Sequence, residues 1–299
     1  APPSINLRAK GNHFISFEDA ISGRDPKYIN VRLNDGTYND GTIKFSTSMT
    51  LGLMTQYNGT FELSGLDTTL TSNYLLHQGT YVVKEGATGN HETFNQQNGE
   101  LNVGGTLTAT TFYQSAGTLK VGGTLKAPTF NHINGTIKVE GTLDVDTFNQ
   151  NSGALKAGSG NDDNLVLGTD GTMKVENYQL NRGSLTVGDS ADGLAITKLT
   201  LSKDTSFTVE KGFSGSISKL IINSGGIITI SAGANAQYDT FEMDGNSLTV
   251  ESQGSFTADS FTHTTGHIVL QSDADFTVAK GNYTSPKYAT PTTVLELSS

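Results

Sequence analysis

The chain has 299 residues, a formal net charge of -10 and no cysteine. The acidic balance repels phosphate, which argues against a nucleic-acid partner and against electrostatic docking on an anionic membrane, and the lack of Cys removes disulfides and thiolate metal sites. With 34% hydrophobic residues, 35 Gly and only 6 Pro, neither a large spherical core nor a disordered chain fits, whereas a thin core shared along a rod does.

Residues 1–36 do not share the repeat that organises the rest of the chain. They hold a short helical stretch from Ser16 to Ile21 and turn signals at Gly23-Arg24-Asp25-Pro26 and Asn34-Asp35-Gly36. They read as an N-terminal capping segment that covers the open edge of a first coil. A docking surface for another protein is the alternative. The start, Ala1-Pro2-Pro3, has no basic or apolar leader, which predicts a processed or excised chain.

Residues 37–299 read as one solenoid. Gly59-Thr60-Phe61-Glu62-Leu63 and Gly79-Thr80-Tyr81-Val82-Val83 open it, about 20 residues apart. Four units then align without gaps, starting at Thr93, Thr111, Thr129 and Thr147 and spaced by about 18 residues. Within them recur Phe94, Phe112, Phe130 and Phe148, then Gly99, Gly117, Gly135 and Gly153. The strand pairs Leu101/Val103, Leu119/Val121, Ile137/Val139 and Leu155/Ala157 come next. Looser copies continue, among them Gly183-Ser184-Leu185-Thr186-Val187, Gly226-Ile227-Ile228-Thr229-Ile230 and Asn246-Ser247-Leu248-Thr249-Val250. Val294-Leu295-Glu296-Leu297 still reads as strand, which predicts that the natural chain continues.

The apolar period inside each unit is two, as on a strand with one buried face. Gly residues sit at the corners, where positive φ is needed. A unit this small buries its apolar face only by stacking on the next, Leu on Leu and Phe on Phe. The expected fold is therefore all-β, a single-stranded right-handed parallel β-helix with coils of about 18–21 residues. A left-handed hexapeptide helix would need an aliphatic residue at position 113 and its equivalents, where the chain has Tyr113, Asn131 and Asn149. No apolar run approaches the roughly 20 residues of a membrane-spanning helix.

Two polar columns run beside the phenylalanine core stack: Gln96, Gln114, His132 and Gln150, and Asn95, Tyr113, Asn131 and Asn149. They read as a structural ladder of amide hydrogen bonds between coils. The alternative is a regular glycan groove, with the amides as donors and acceptors and Tyr113 as a stacking face.

The pattern Gly117-Thr118-Leu119-Lys120-Val121-Gly122-Gly123-Thr124-Leu125, with its Thr-Phe-Asn/Tyr-Gln leader, resembles the passengers of autotransporters. It is also similar to vacuolating-toxin-type passengers and filamentous-haemagglutinin adhesins. The likeness covers most of residues 37–299 and is carried by composition and period. It implies display on the extracellular or outer-membrane surface of a Gram-negative bacterium and an adhesive or toxic role. The implied partners are a host-cell or bacterial surface receptor or glycan, or a second copy of the chain, without insertion of this segment into a membrane. The outer-membrane barrel that autotransporters carry C-terminally is not in this sequence.

Parallel β-helices also include polysaccharide lyases and glycosidases, which work with paired carboxylates. The candidate pairs are Asp162/Asp163, Asp189/Asp192 and Asp273/Asp275, each in a Gly/Ser/Asn-rich stretch where Asp is also a good turn residue. Gly158-Ser159-Gly160-Asn161-Asp162 faintly matches a calcium-binding nonapeptide, but it occurs once and its aliphatic residue arrives late, at Leu165. His263 and His267 form the one close histidine pair, and on a strand they would share a face about 13 Å apart. No phosphate loop, dinucleotide fingerprint or nucleophile elbow is present, so no cofactor and no catalytic or metal residue is expected. The expected function is a non-catalytic adhesin or toxin-passenger segment. The alternatives are a carbohydrate-active β-helix enzyme and a scaffold of the cell envelope or of a fibre.

Overall fold

A computed structural model describes residues 4–7, 12–14, 30–33, 41–158, 164–189, 191–223, 225–283 and 293–297. Among them are 27 strands and no helix. The pairings are parallel, and the strands form a β-solenoid of about 12 turns. The helix expected from Ser16 to Ile21 lies outside the described residues. The chain divides into two compact units, residues 1–145 and 146–299.

In the first unit a coil consists of a four-residue strand and one of eight or nine residues, for example Glu100–Val103 and Thr106–Gln114. The long strand bends where Thr110 and Thr111 both point away from the core, so each coil has three faces. Strict alternation places Leu101/Val103, Leu107/Ala109 and Phe112/Gln114 inside. Thr, Val and Phe suit this pleated, half-buried surface. The corners need glycine for closeness as well as conformation. Gly117 has φ 83°, and a Cβ there would lie 2.2 Å from the Gly99 carbonyl oxygen of the preceding coil. At Gly123 a Cβ would lie 2.1 Å from Gly105 O.

Register makes each column self-similar. Leu101 pairs with Leu119, and Leu119 with Ile137. Phe112 stacks between Phe94 and Phe130, with ring centroids 5.0 and 4.6 Å away. A fully buried side chain of this kind contributes about 1.5–3 kcal/mol.

The ladder also enters the segment read as a cap. Ser4–Leu7 pair with Asn30–Leu33, and Asn12–Phe14 pair with residues 42–44, all in parallel. The signal for the first of these is the alternation of Ser4-Ile5-Asn6-Leu7, which the irregular spacing up to Asn30 obscures.

The second unit steps by 21 and then 20 residues, through Leu180, Leu201, Ile222, Met243 and His263. One coil exceeds the expected range: Ala154 pairs directly with Ser184. The excess comes after Ala157, in the Gly/Ser/Asn/Asp-rich stretch that also carries the short strand Leu165–Leu167.

Candidate functional site

The glutamine column is inside. Gln96, Gln114 and Gln150 have no accessible surface, and His132 is 1% exposed. Each glutamine lies two residues after an aromatic, Phe94, Phe112 or Phe148, so strand parity turns both inward. Each amide bonds backbone carbonyls, one at its own corner and one on the next coil. Gln114 Nε2 donates to Gly117 O (3.5 Å), across its own corner, and to Thr136 O (3.1 Å). Gln96 does the same to Gly99 and Thr118, and Gln150 to Gly153 and Ser184. Gln56, outside the aligned repeats, makes the same pair to Gly59 and Thr80. The sequence signal is Gln-x-x-Gly, an amide three residues before a positive-φ glycine. Three of the carbonyl ends accept in turn: Tyr74 OH donates to Gln56 Oε1, Tyr178 OH to Gln150 Oε1, and His132 Nδ1 to Gln114 Oε1, whereas Gln96 Oε1 is buried without a partner. These side chains clamp corners and offer nothing to a glycan.

The second column faces outward. Asn95, Tyr113 and Asn131 are in register; Tyr113 is 39% exposed, and Asn95 and Asn131 are half-buried, with Asn95 Oδ1 covered. Asn149, in the second unit, is half-buried. Beside this column Tyr57 and His77 stack at 5.0 Å, one coil apart. The four phenylalanines of the core stack are wholly buried; Phe148 stacks on Tyr178 at 4.8 Å in the second unit.

A cleft of about 500 Å³ lies in the first unit, lined by Thr71, Asn90, His91, Glu92, Thr108 and Lys126 among others. Thr71, Asn90, Thr108 and Lys126 form one register column, in which Thr108 Oγ1 donates to Asn90 Oδ1 at 2.5 Å. Sequence reading missed this column because its residue types change at every coil. At the base of the cleft, His91 Nδ1 donates to Ser72 O at 2.8 Å. Burial pushes the His91 imidazole down to about 4 against that bond, and burial takes His132 to about 4 as well.

Asp162 and Asp163 lie outside the described residues. Asp273 adopts φ 59° in a turn, whereas Asp275 begins the strand Asp275–Tyr283. Asp192 accepts from Ser214 Oγ and, with Asp170, lines a cleft of about 720 Å³ in the second unit. His263 and His267 do not share a face: His263 is buried and His267 is exposed. The corner at Gly266 and the register shift opposite it reverse the parity between them. Among the described residues no three His, Asp or Glu side chains converge as a metal site.

Compared with protein-family models, curated proteins and solved structures, the chain matches none.

Proposed function

We propose that the chain is a non-catalytic segment of a bacterial surface passenger. It meets a cell-surface receptor or glycan through side chains that recur coil after coil on its outer faces. The observation that carries this reading is the register of the outward columns in the first unit. Thr69, Thr88, Thr106 and Thr124 stack in one line, and Asn95, Tyr113 and Asn131 in another. Such a wall spreads contact energy over several equivalent groups, which suits a repetitive partner such as a glycan chain. The amides and hydroxyls supply donors and acceptors, and Tyr113 supplies a stacking face. Surface display on a Gram-negative cell belongs to the same proposal.

The test is binding of the fluorescently labelled chain to epithelial and bacterial cells and to a glycan array. Saturable binding that falls several-fold in the Asn95→Ala, Tyr113→Ala, Asn131→Ala triple variant supports the reading. Saturable binding untouched by that variant sinks the assignment of this face.

A second reading rests on the cleft that holds Asp170 and Asp192, because glycoside hydrolysis needs two carboxylates across one cleft. Incubation with a polysaccharide panel separates the two. Cleavage that disappears in Asp192→Asn would replace the passenger reading with a carbohydrate-active enzyme.

A further inference from the structure

The dipeptide Asn-Gly occurs three times in the chain, and each time its glycine is a positive-φ corner of the first unit: Asn58-Gly59, Asn98-Gly99 and Asn134-Gly135. An asparagine in this position is open to attack by the backbone nitrogen of the residue that follows it. Glycine exposes that nitrogen most, because it has no Cβ to crowd the approach. Geometry then decides which of the three corners can react, since a nucleophile held beside its target gains orders of magnitude in rate over one held away from it.

Two of the corners are held alike. Gln56 Nε2 donates to Gly59 O at 2.9 Å and Gln96 Nε2 to Gly99 O at 3.2 Å, and the two glycines take φ 69° and 80°. At the third corner the residue three places before the glycine is His132, whose Nδ1 is turned to Gln114 Oε1 at 3.1 Å. There the glycine opens to φ 112°, and its N–H donates to Oδ1 of Asn134 at 2.8 Å. Cγ is bonded to that oxygen, so the Gly135 nitrogen stands beside the carbon it would attack. Asn134 is exposed and within reach of solvent base. Asn98 is exposed as well, so access to solvent does not separate the two, whereas the corner geometry does.

We propose that Asn134 is a site of spontaneous deamidation in the folded chain. The Gly135 nitrogen loses its proton to solvent hydroxide and bonds to Asn134 Cγ. The Cγ–Nδ2 bond breaks, ammonia leaves with a proton returned from water, and a five-membered succinimide closes. Water then opens the ring at either carbonyl and gives aspartate or isoaspartate. Solvent is the only co-reactant. Either product adds one negative charge to the corner. Isoaspartate also lengthens the backbone by one methylene at a place without spare room, since a Cβ on Gly135 would already lie 2.5 Å from Gly117 O. The proposal is independent of the passenger reading.

The experiment is incubation of the full chain at physiological temperature and pH over several weeks. Peptide mass spectrometry reads the one-dalton gain of deamidation, and isoaspartyl methyltransferase labelling reads the rearranged product. In the folded chain Asn134 should convert about tenfold faster than Asn58 or Asn98. In concentrated urea the three should convert at similar rates, because all share the same dipeptide and none keeps its corner. His132→Gln, which gives this corner the amide that the other two have, should slow Asn134 towards the rate of Asn98. The proposal is overturned if Asn134 converts no faster than Asn98 in the folded chain, or if the preference persists in urea. It is also overturned if His132→Gln leaves the Asn134 rate unchanged. If His132→Gln fails to fold, the comparison of folded and urea-treated wild type decides alone.

Discussion

The two units build the same three-faced coil but fill the core position before one corner differently. In the first unit this position is Gln56, Gln96 or Gln114 on three coils, Leu76 and His132 on two others, and the buried amide of Gln114 supplies the carbonyls of Gly117 and Thr136 with a donor. In the second unit the same column is Leu180, Leu201, Ile222 and Met243. There the corner after Leu201 serves itself. Asp204 takes φ 60°, and Thr205 Oγ1 donates to Ser202 O at 2.7 Å. The corner alone does not set the residue: Leu76, Leu180 and Ile222 also stand three residues before positive-φ glycines, Gly79, Gly183 and Gly225, and are buried with no amide to serve the corner. Gln150, at the start of the second unit, repeats the arrangement of Gln114, with Gly153 at its corner.

The largest expected effect tests the aromatic column. Phe112→Ala should destabilise the first unit by about 3–5 kcal/mol, as for any well-packed buried Phe. Chemical denaturation monitored by circular dichroism measures it, and a loss under roughly 0.5 kcal/mol would contradict the inward stack.

The next is acid sensitivity. His91 and His132 are held at about 4 in the folded chain, against an ordinary value of 6.5. The unfolded chain takes up their protons first, so their stability contribution is complete above pH 6.5. It declines as pH falls towards 4, by about 3 kcal/mol for each histidine. His132→Gln, which completes the glutamine column and faces Gly135 three residues on, should remove roughly half of that decline. Thermal melts at pH 7.5, 5.5 and 4.5 check this; an unchanged pH slope in the variant would dissociate His132 from the effect.

The corner comparison itself is sharpened by a pair of exchanges. Gln114→Leu should cost about 1–3 kcal/mol, because two amide hydrogen bonds go and the buried His132 Nδ1 loses its acceptor. Leu201→Gln should cost a similar amount for the opposite reason, an amide brought inside without partners. Tolerance of both would mean that the two corners are interchangeable. Smallest is Tyr113→Ala, expected to change stability by less than about 0.5 kcal/mol, since its ring stands outward. Its effect belongs in the cell-binding measurement.

Much of the coil is legible in the sequence because it is local. Alternation in Leu101-Asn102-Val103 and glycines at fixed offsets define strand and corner within a few residues, and four gapless repeats require them to stack. The role of the glutamine column is harder to read, because polarity suggests a surface position. Parity nevertheless places Gln96 with Phe94, and an amide can go inside where carbonyls wait for it. The ladder strand Ser4–Leu7 escapes sequence reading because its partner, Asn30–Leu33, lies at an irregular distance along the chain.

By itself, then, the sequence determined the coil: its period of two, its glycine corners and its aromatic stack, all set by short-range sterics and by burial of an alternating face. The tertiary structure alone decided what register brings together across coils. It puts Gly215 and Ala236 in the column between Leu194 and Phe256, with the Phe213 ring lying across Gly215. It also turns His263 inward and His267 outward across one irregular corner. Neither is readable from neighbours along the chain, because each depends on the length of the intervening coil, and one residue more or less moves every side chain to the other face.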